Sequence, residues 1–388
     1  MKIVYFHNYV NDNLMPGVNK KIILQAENLI TLGVHTEVLL VGEDNDIYPL
    51  NIYIKTRKFK ASKLNQIFNI IKRQYILSIA FRDLIKSKDH NDIILLRYPY
   101  PIFSPIWILL KIDKKCKVVT EHNTIEIKEW RLLGNYIGFL YIMWELTFGC
   151  LCRSYTDGII GVTDEITSYE LERSRIINMP YITIGNGIDV YRTRIRKPPS
   201  LVDEELILLC VASFSRWHGI DRLLRGLSHY KGSIKVRLYM VGNGPEIPNL
   251  RLIVKELSLA DNVIFTDILG GSLLDDIFDK SHIAIGSLGL HRMNMKEASI
   301  LKAREYCARG IPFLYECSDP DFPDNFPYIK IVSGDESPIE IEEVIRFAKE
   351  VYLDPEHHIK MRAYAEENLD WSVKMKMLKE FCEMLVEE

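Results

Sequence analysis

Two glutamates, Glu297 and Glu305, are separated by seven residues in a stretch that also carries several basic side chains. A plausible N-cap at Ser299 and a plausible left-handed C-cap at Gly310 predict a short helix that contains Glu305 and begins just after Glu297. The apolar run Ile311–Tyr315 then predicts a buried strand. Carboxylates in these positions are suited to accept hydrogen bonds from sugar hydroxyls.

Four basic side chains gather at the N-terminal end of this predicted helix, where each cation opposes the helix dipole at a cost of about 0.3–1 kcal/mol. A bound anion reverses that effect, because free backbone N–H groups and cations then converge on it. We therefore predict a phosphate site with carboxylates beside it. The alternative is a solvated helix in which Glu305 forms surface pairs with Lys302 and Arg309. The four cations are Arg292, Lys296, Lys302 and Arg304.

The size and composition of the chain favour a two-domain globular protein. It has 388 residues, of which 47% are hydrophobic and 26% are charged. A net charge of −3 argues against a general nucleic-acid-binding protein. The seven cysteines are scattered without the spacing of a zinc site or a disulfide framework, which favours a reducing, cytoplasmic compartment.

The first half of the chain alternates short apolar runs with a helical pattern. A strand at Lys2–His7, a helix at Val18–Leu32 and a strand at Thr36–Gly42 predict a βαβ unit and a parallel sheet. Ligands bind at the carboxyl ends of such strands, so the loop Asn8–Gly17 is expected at the mouth of a site. His122 follows a later strand and is a candidate for sugar contact or proton handling, unless it is a loop histidine with no role. Further strands are predicted at Asp92–Arg97, Cys116–Thr120, Gly158–Val162 and Tyr181–Ile184.

The second half repeats the β/α pattern after a stretch that lacks periodicity. Val190–Glu205 contains Pro198-Pro199 and several charges, which predicts an interdomain linker. We therefore predict domains at residues 1–195 and 196–370, with a C-terminal helix at 371–388 that packs back on the first domain. Strands are predicted at Leu206–Ala212, Lys235–Val241, Val263–Thr266 and Ile283–Ser287.

Two segments have an unusual composition. Lys55–Lys88 holds ten basic residues and one acid, which is typical of an amphipathic helix on an anionic membrane surface or of a core-packing helix with a solvated basic face. Gly134–Cys152 is strongly apolar with Glu145 as its only charge, and we predict a buried helix there rather than a membrane span. The apolar stripe predicted in the first segment is Leu64, Ile67, Ile71, Tyr75 and Ile79.

Several motifs then occur in order along the chain. They are the turn Asn186-Gly187-Ile188-Asp189, the loop Val241-Gly242-Asn243-Gly244-Pro245-Glu246, the Glu297 and Glu305 pair, Ala308-Arg309-Gly310-Ile311-Pro312, and the late Trp371. With this set the chain resembles the family-4 retaining glycosyltransferases, also called glycosyl transferases group 1. The resemblance implies an α/β protein of GT-B fold, with two Rossmann-like β/α domains facing a central cleft. It assigns the acceptor to the N-terminal domain and the nucleotide-sugar to the C-terminal domain.

The resemblance also implies roles for individual residues. Glu305 would hold the ribose of a nucleoside diphosphate, and Glu297 would meet hydroxyls of the donor sugar as a catalytic residue. His122, the second catalytic residue, would lie near the donor sugar and the acceptor. The backbone and side-chain contacts to the donor phosphates are then expected from Gly17, Gly242, Ile300, Leu301 and Lys302.

One loop departs from the family pattern. The family places an Arg and a Lys where this chain has Ser213 and His218. We expect Arg216 and His218 to take over the contact with the diphosphate. The resemblance needs no metal ion and no other cofactor, and Asp319-Pro320-Asp321, although an acid-x-acid motif, is interpreted as a plain loop.

The activity implied is transfer of a hexose from a nucleoside-diphosphate-sugar to a saccharide or lipid-linked saccharide acceptor, in bacterial surface polysaccharide synthesis. The expected location is the cytoplasm, with a peripheral contact to the anionic inner face of the plasma membrane, and no nucleic acid is expected as a partner. Two alternatives stay open: a nucleotide-sugar epimerase of the same fold, and a non-catalytic subunit that binds a nucleotide-sugar.

Overall fold

The computed structural model describes residues 1–8, 16–42, 53–58, 66–98, 114–200 and 204–387. The chain divides into two compact units. Met1–Gly185 and Trp371–Glu388 form the first unit, and Asn186–Asp370 forms the second. Each unit is built on a parallel β-sheet with helices, and together they give the GT-B architecture expected from the sequence.

The first unit contains a seven-stranded sheet in the order β3-β2-β1-β4-β5-β6-β7, with neighbouring strands parallel. The central strands are continuous apolar runs, because a parallel sheet in this fold class is covered on both faces. Ile93, Ile94, Leu95 and Leu96 of β4 are accordingly all buried. The strands are β1 Lys2–Asn8, β2 His35–Gly42, β3 Tyr53–Lys58, β4 Asp92–Arg97, β5 Lys117–His122, β6 Gly158–Gly161 and β7 Tyr181–Thr183. The helices are α1 Pro16–Thr31, α2 Gln66–Lys86, α3 Glu126–Leu133, α4 Tyr136–Arg153, α5 Asp164–Ser174 and α12 Trp371–Glu387.

Much of the basic segment Lys55–Lys88 is helix α2, as predicted, and its first residues belong to β3. In the predicted apolar stripe, Tyr75 does not lie on the buried face of the helix. Tyr75 is 58% exposed, whereas Leu77, Phe81 and Leu84 are buried in the core beside the sheet. Since these three residues follow the i, i+4, i+7 spacing, they define the buried face of the helix. Leu64 and the side chains of Ile67 and Ile71 lie outside the described part of the structure.

The apolar segment after Gly134 is helix α4, which is capped by Asn135 through a 2.9 Å hydrogen bond from the N–H of Gly138. The prediction of a buried helix holds for one face only, which carries the buried Glu145 and Arg153. Tyr136, Phe139, Met143 and Leu146 are exposed on another face. Within the described ranges, no helix is both long and apolar enough to cross a membrane.

The second unit contains a six-stranded parallel sheet in the order β10-β9-β8-β11-β12-β13. Its strands are β8 Glu205–Val211, β9 Lys235–Val241, β10 Val263–Thr266, β11 Ile283–Ile285, β12 Phe313–Tyr315 and β13 Ile329–Ile331. Its α-helices are α6 Ile220–His229, α7 Ile247–Glu256, α8 Gly271–Lys280, α9 Leu301–Arg309, α10 Ile341–Tyr352 and α11 His357–Asn368. Two short 3-10 turns, Arg216–His218 and Leu290–Met293, follow β8 and β11.

The stretch predicted as a linker packs within the second unit. Val190 is buried, and the buried guanidinium of Arg196 donates to the carbonyl oxygens of Gly310 and Ser281, at 2.9 and 2.5 Å. Residues 201–203 lie outside the described ranges. The units divide at Gly185, ahead of the proline pair that suggested a boundary, because proline and charge alone do not reveal which side chains are anchored.

Candidate functional site

Helix α9 begins at Leu301 and ends at the left-handed Gly310, whose φ of 77° confirms the predicted C-cap. The predicted N-cap is wrong. Ile300 occupies that position with an extended backbone, and the hydroxyl of Ser299 instead accepts a 2.7 Å hydrogen bond from the N–H of Asn186. No side chain of the described residues caps α9, so its first N–H groups, at Ile300 to Lys302, remain suited to an anion.

Lys302 stands in the first turn of α9. Its Nζ atom is buried, although part of the side chain is exposed, and it has no hydrogen-bond partner among the described residues. Burial lowers the pKa of this amine. A buried polar atom without a partner is costly, and an anion that approached it would remove that cost. The environment of Lys302 therefore favours a negatively charged ligand.

The loop after β8 carries the residues that depart from the family pattern. His218 is buried, and its Nδ1 atom accepts a 2.9 Å hydrogen bond from the N–H of Ser215, which leaves the proton of the neutral ring on Nε2. Burial, and then the charge of Lys302, hold the pKa of His218 well below its usual range. The ring is therefore neutral in the ligand-free protein, in contrast to the lysine that the family pattern places at this position. It can still offer one N–H donor.

Arg216 lies in the loop after β8, and Gly242 directly follows β9, the neighbouring strand. The side chain of Arg216 is exposed, and its carbonyl oxygen accepts a 2.7 Å hydrogen bond from Arg292. Gly242 has a φ of 126° and lies so close to the carbonyl oxygen of Ala212 that a side chain would collide with it. The packing of the two loops thus explains this glycine without any ligand.

The two glutamates lie on either side of the start of α9. Glu297 is half-buried in an extended segment that pairs with Ser318. Glu305, also half-buried, is one turn into the helix and accepts a 2.9 Å hydrogen bond from Arg309, which in turn binds Asp275 at 2.6 Å. The surface-pair alternative is thus correct for Glu305 and Arg309, and the carboxylate remains partly open to a second donor.

Two of the four expected phosphate cations are engaged elsewhere. Arg292 binds Asp221 and Glu336 at 2.6–2.9 Å. Arg304 is fully buried and binds both Asp319 and Asp321, so this acid-x-acid motif binds a guanidinium. Neither arginine is therefore available for a phosphate. Lys302 is the member of the set whose buried Nζ atom has no hydrogen-bond partner among the described residues.

His122 lies at the end of β5 in the first unit, with its side chain fully buried. Its Nδ1 atom is 3.2 Å from a Glu170 oxygen and 3.9 Å from a Glu126 oxygen, and its ring stacks on Tyr98 at 4.6 Å. Burial lowers the pKa of His122, but the two carboxylates outweigh it and raise the pKa to about 9. A protonated ring cannot accept a proton at neutral pH. A general-base role therefore does not fit this geometry, whereas proton donation and contact with the sugar stay predictions.

The side chains of His122, Glu126 and Glu170 are close enough to hold a metal ion, but their surroundings fit a proton better. Arg153 binds Glu170 and approaches Glu145 at 2.6 Å, placing a permanent cation against the cluster. Protonation of His122 gives a balanced set of three cations and three carboxylates, whereas a divalent ion would leave an excess of buried positive charge. The balanced set is His122, Arg153 and Arg173 with Glu126, Glu145 and Glu170.

The remaining predicted phosphate contact, Gly17, lies in the first turn of α1 rather than in a loop. Tyr9–Met15 of the predicted loop fall outside the described residues. The ion clusters around Arg304 and His122 were not predicted. Glu145, a single charge in an apolar helix, was the sequence signal for one of them, since a buried carboxylate requires a partner.

The two sheets define a GT-B protein, and comparisons with known proteins agree. A sucrose-phosphate synthase from Thermosynechococcus elongatus superposes with a TM-score of 0.71 at 16% identity, covering 99% of each chain. WaaG, a glycosyltransferase involved in lipopolysaccharide biosynthesis, gives 0.66 at 13% identity over 97% of this chain and 98% of WaaG. Anabaena HepE in complex with UDP-glucose gives 0.62 at 11% identity over 98% of both chains.

A comparison at the level of sequence gives a match within the second unit. Residues 191–315 match the family model described as glycosyl transferases group 1. The matched segment runs from the start of the second unit to β12, and it includes α9 with both glutamates. A search of curated proteins found no match. The resemblance to group 1 glycosyltransferases of GT-B fold is thus confirmed.

Proposed function

We propose that this protein is a retaining glycosyltransferase that uses a nucleoside-diphosphate-sugar as its donor. The observation that carries the proposal is the buried amine of Lys302 in the first turn of α9, for which the described part of the chain supplies neither a hydrogen-bond partner nor a side-chain cap of the helix. The amides of Ile300 and Leu301 and the Lys302 amine bind the diphosphate. Glu305 accepts hydrogen bonds from the ribose, and Glu297 accepts them from the donor sugar.

The chemistry follows from where charge develops. The sugar departs through an oxocarbenium-like state while negative charge builds on the leaving diphosphate. Fixed N–H donors and a cation aimed at that diphosphate stabilise the transition state more than the ground state. Lys302 replaces the cations that are missing at Ser213 and His218, and the Nε2–H of His218 adds a neutral donor. Transfer therefore needs no metal ion, consistent with the engagement of Asp319 and Asp321 by Arg304.

The donor base is best found by ligand screening. Neighbouring folds were solved with UDP, with UDP-glucose and with ADP, so uridine and adenine diphosphates come first. A thermal-shift panel of UDP-, ADP-, GDP- and dTDP-glucose should single out one base, because a ligand present at 100 Kd adds about 2.7 kcal/mol to the free energy of unfolding. The absence of a shift with every member would overturn the proposal. Release of a free 2-epimer without acceptor would favour the epimerase alternative, and binding without any turnover would favour the non-catalytic one.

For the acceptor, we propose a saccharide or a lipid-linked saccharide of surface polysaccharide synthesis, met at an anionic membrane surface. Ten basic residues and one acid in Lys55–Lys88 support this, with about 1 kcal/mol per basic residue near such a surface. The exposed Phe139 and Met143 of α4 add apolar contact area. The fraction of the protein that co-sediments with anionic lipid vesicles should fall as salt is added, and it should be lower for a Phe139→Ser, Met143→Ser double variant. Equal co-sedimentation with neutral and anionic vesicles would contradict the membrane contact.

A further inference from the structure

The segment that carries Glu297 has little secondary structure of its own, and three neighbours fix it. Ser318 pairs with it on both sides of Glu297, since its carbonyl accepts from the N–H of Ala298 at 3.0 Å and its N–H donates to Lys296 at 3.2 Å. The Tyr315 hydroxyl donates to the carbonyl of Ala298 at 3.1 Å. The N–H and side-chain amide of Asn186 bind Ser299 at 2.7 and 2.5 Å. The position of the Glu297 carboxylate therefore depends on where Ser318 and Asn186 are held.

The buried side chain of Arg304 binds Asn186 and also Asp319, which directly follows Ser318. The Nε–H of Arg304 donates to the carbonyl of Asn186 at 2.9 Å. Its two terminal nitrogens form a bidentate pair with Asp319, the residue directly after Ser318, and one of them also reaches Asp321. A last, longer bond of 3.5 Å goes to the carbonyl of Ile300. Asp319 is buried as well, so this pair is shielded from solvent.

The five N–H groups of a guanidinium are the most that Arg304 can donate, and these contacts use all five. The side chain has no donor left for a phosphate, in contrast to Lys302. Removal of one partner of such a buried pair leaves the other charge uncompensated, so the segments should separate when either residue is changed. Arg304 thus acts on the site through the backbone.

We propose that Arg304 and Asp319 are positioning residues that hold the Glu297 segment in the orientation required for the donor sugar. The inference rests on the proposed function for the role of Glu297, but the clamp itself can be tested without any ligand. Replacement of Arg304 or Asp319 should change recognition of the donor sugar, although neither side chain contacts the sugar.

The first measurement is amide hydrogen exchange in Arg304→Met and Asp319→Asn. We expect the amides of Ala298 and Ser318 to exchange at least 10-fold faster in both variants, while the amides of β8 keep their wild-type rates. Arg194→Met is the matched control, because Arg194 forms another bidentate pair in this unit, with Asp279 at 3.1 and 2.8 Å. Unchanged exchange at Ala298 and Ser318, or equal acceleration in β8, would overturn the clamp. Arg304→Lys, which keeps the charge, provides a folded variant if Arg304→Met does not fold.

The second measurement compares the affinity for UDP with the affinity for UDP-glucose, or for the matching pair that the panel selects. Arg304→Lys and Asp319→Asn should weaken the diphosphate-sugar about 10-fold and the diphosphate less than 2-fold. Combining Asp319→Asn with Glu297→Gln should add no further loss, because both act on the same contact. Additive losses would refute the positioning role. If wild type binds no nucleotide at all, the proposed function fails, whereas the exchange rates still decide whether the clamp exists.

Discussion

Replacing His122 by glutamine should remove a pH-dependent part of the stability of the first unit. In the folded protein the imidazole faces Glu170 and Glu126 in a fully buried cluster, together with Arg153 and Tyr98. The carboxylates raise the pKa of His122 to about 9, against about 6.5 in the unfolded chain. Folding therefore favours the protonated ring over a wide range of pH.

The sign follows from proton linkage. A pKa raised by folding gives stability that is fully present below pH 6.5 and is lost as the pH rises through 9. With about 1.4 kcal/mol for each pKa unit, this contribution amounts to about 3 kcal/mol. The free energy of unfolding of wild type should thus fall by about 3 kcal/mol more than that of His122→Gln between pH 6.5 and 9.5.

Urea unfolding followed by tryptophan fluorescence can measure this difference, since Trp130, Trp144 and Trp371 all belong to the first unit. His35→Gln is the control, because the His35 side chain in the same unit is 68% exposed and exposed pairs contribute little. Its stability curve should run parallel to that of wild type. Parallel curves for wild type and His122→Gln over the same range would refute the buried imidazolium.

Three further predictions concern the donor site. Glu305→Gln should weaken binding of the nucleoside diphosphate by about 1.5–3 kcal/mol, because the ribose loses a charged acceptor; unchanged affinity in calorimetry would contradict the ribose contact. Lys302→Met should lower affinity for the diphosphate at least 10-fold, because the bound anion loses a cation whose Nζ atom is buried; unchanged affinity in calorimetry would contradict the contact. Burial lowers the pKa of the Lys302 amine and a bound anion raises it, so affinity should fall as the pH rises through the bound-state pKa in wild type but not in Lys302→Met. Turnover should survive EDTA, and a loss restored by Mn²⁺ would refute the metal-free mechanism.

The positions of the strands were the feature that the sequence predicted most reliably. Asp92–Arg97, Lys235–Val241 and Val263–Thr266 were predicted with the bounds that the structure gives, and for the central strand Asp92–Arg97 the reason is that a strand covered on both faces is a continuous apolar run. β3 and β13 were missed, since Tyr53–Lys58 and Ile329–Ile331 carry basic residues and have no such run. The local signal of Gly310 was sufficient to end α9, because a left-handed residue needs no distant partner.

Tertiary structure alone decided what the polar side chains do. Ser299 satisfies every local rule for a helix cap, yet its hydroxyl is taken by Asn186, which is 113 positions earlier in the chain. Arg304 belongs by spacing to a phosphate-binding cluster, but burial forces its guanidinium onto Asp319 and Asp321. Helices and strands can be predicted from the sequence because the apolar periodicity that indicates them involves only residues close together in the chain. The partner of a buried charge is whichever opposite charge the fold brings within about 4 Å, and sequence spacing does not contain that distance.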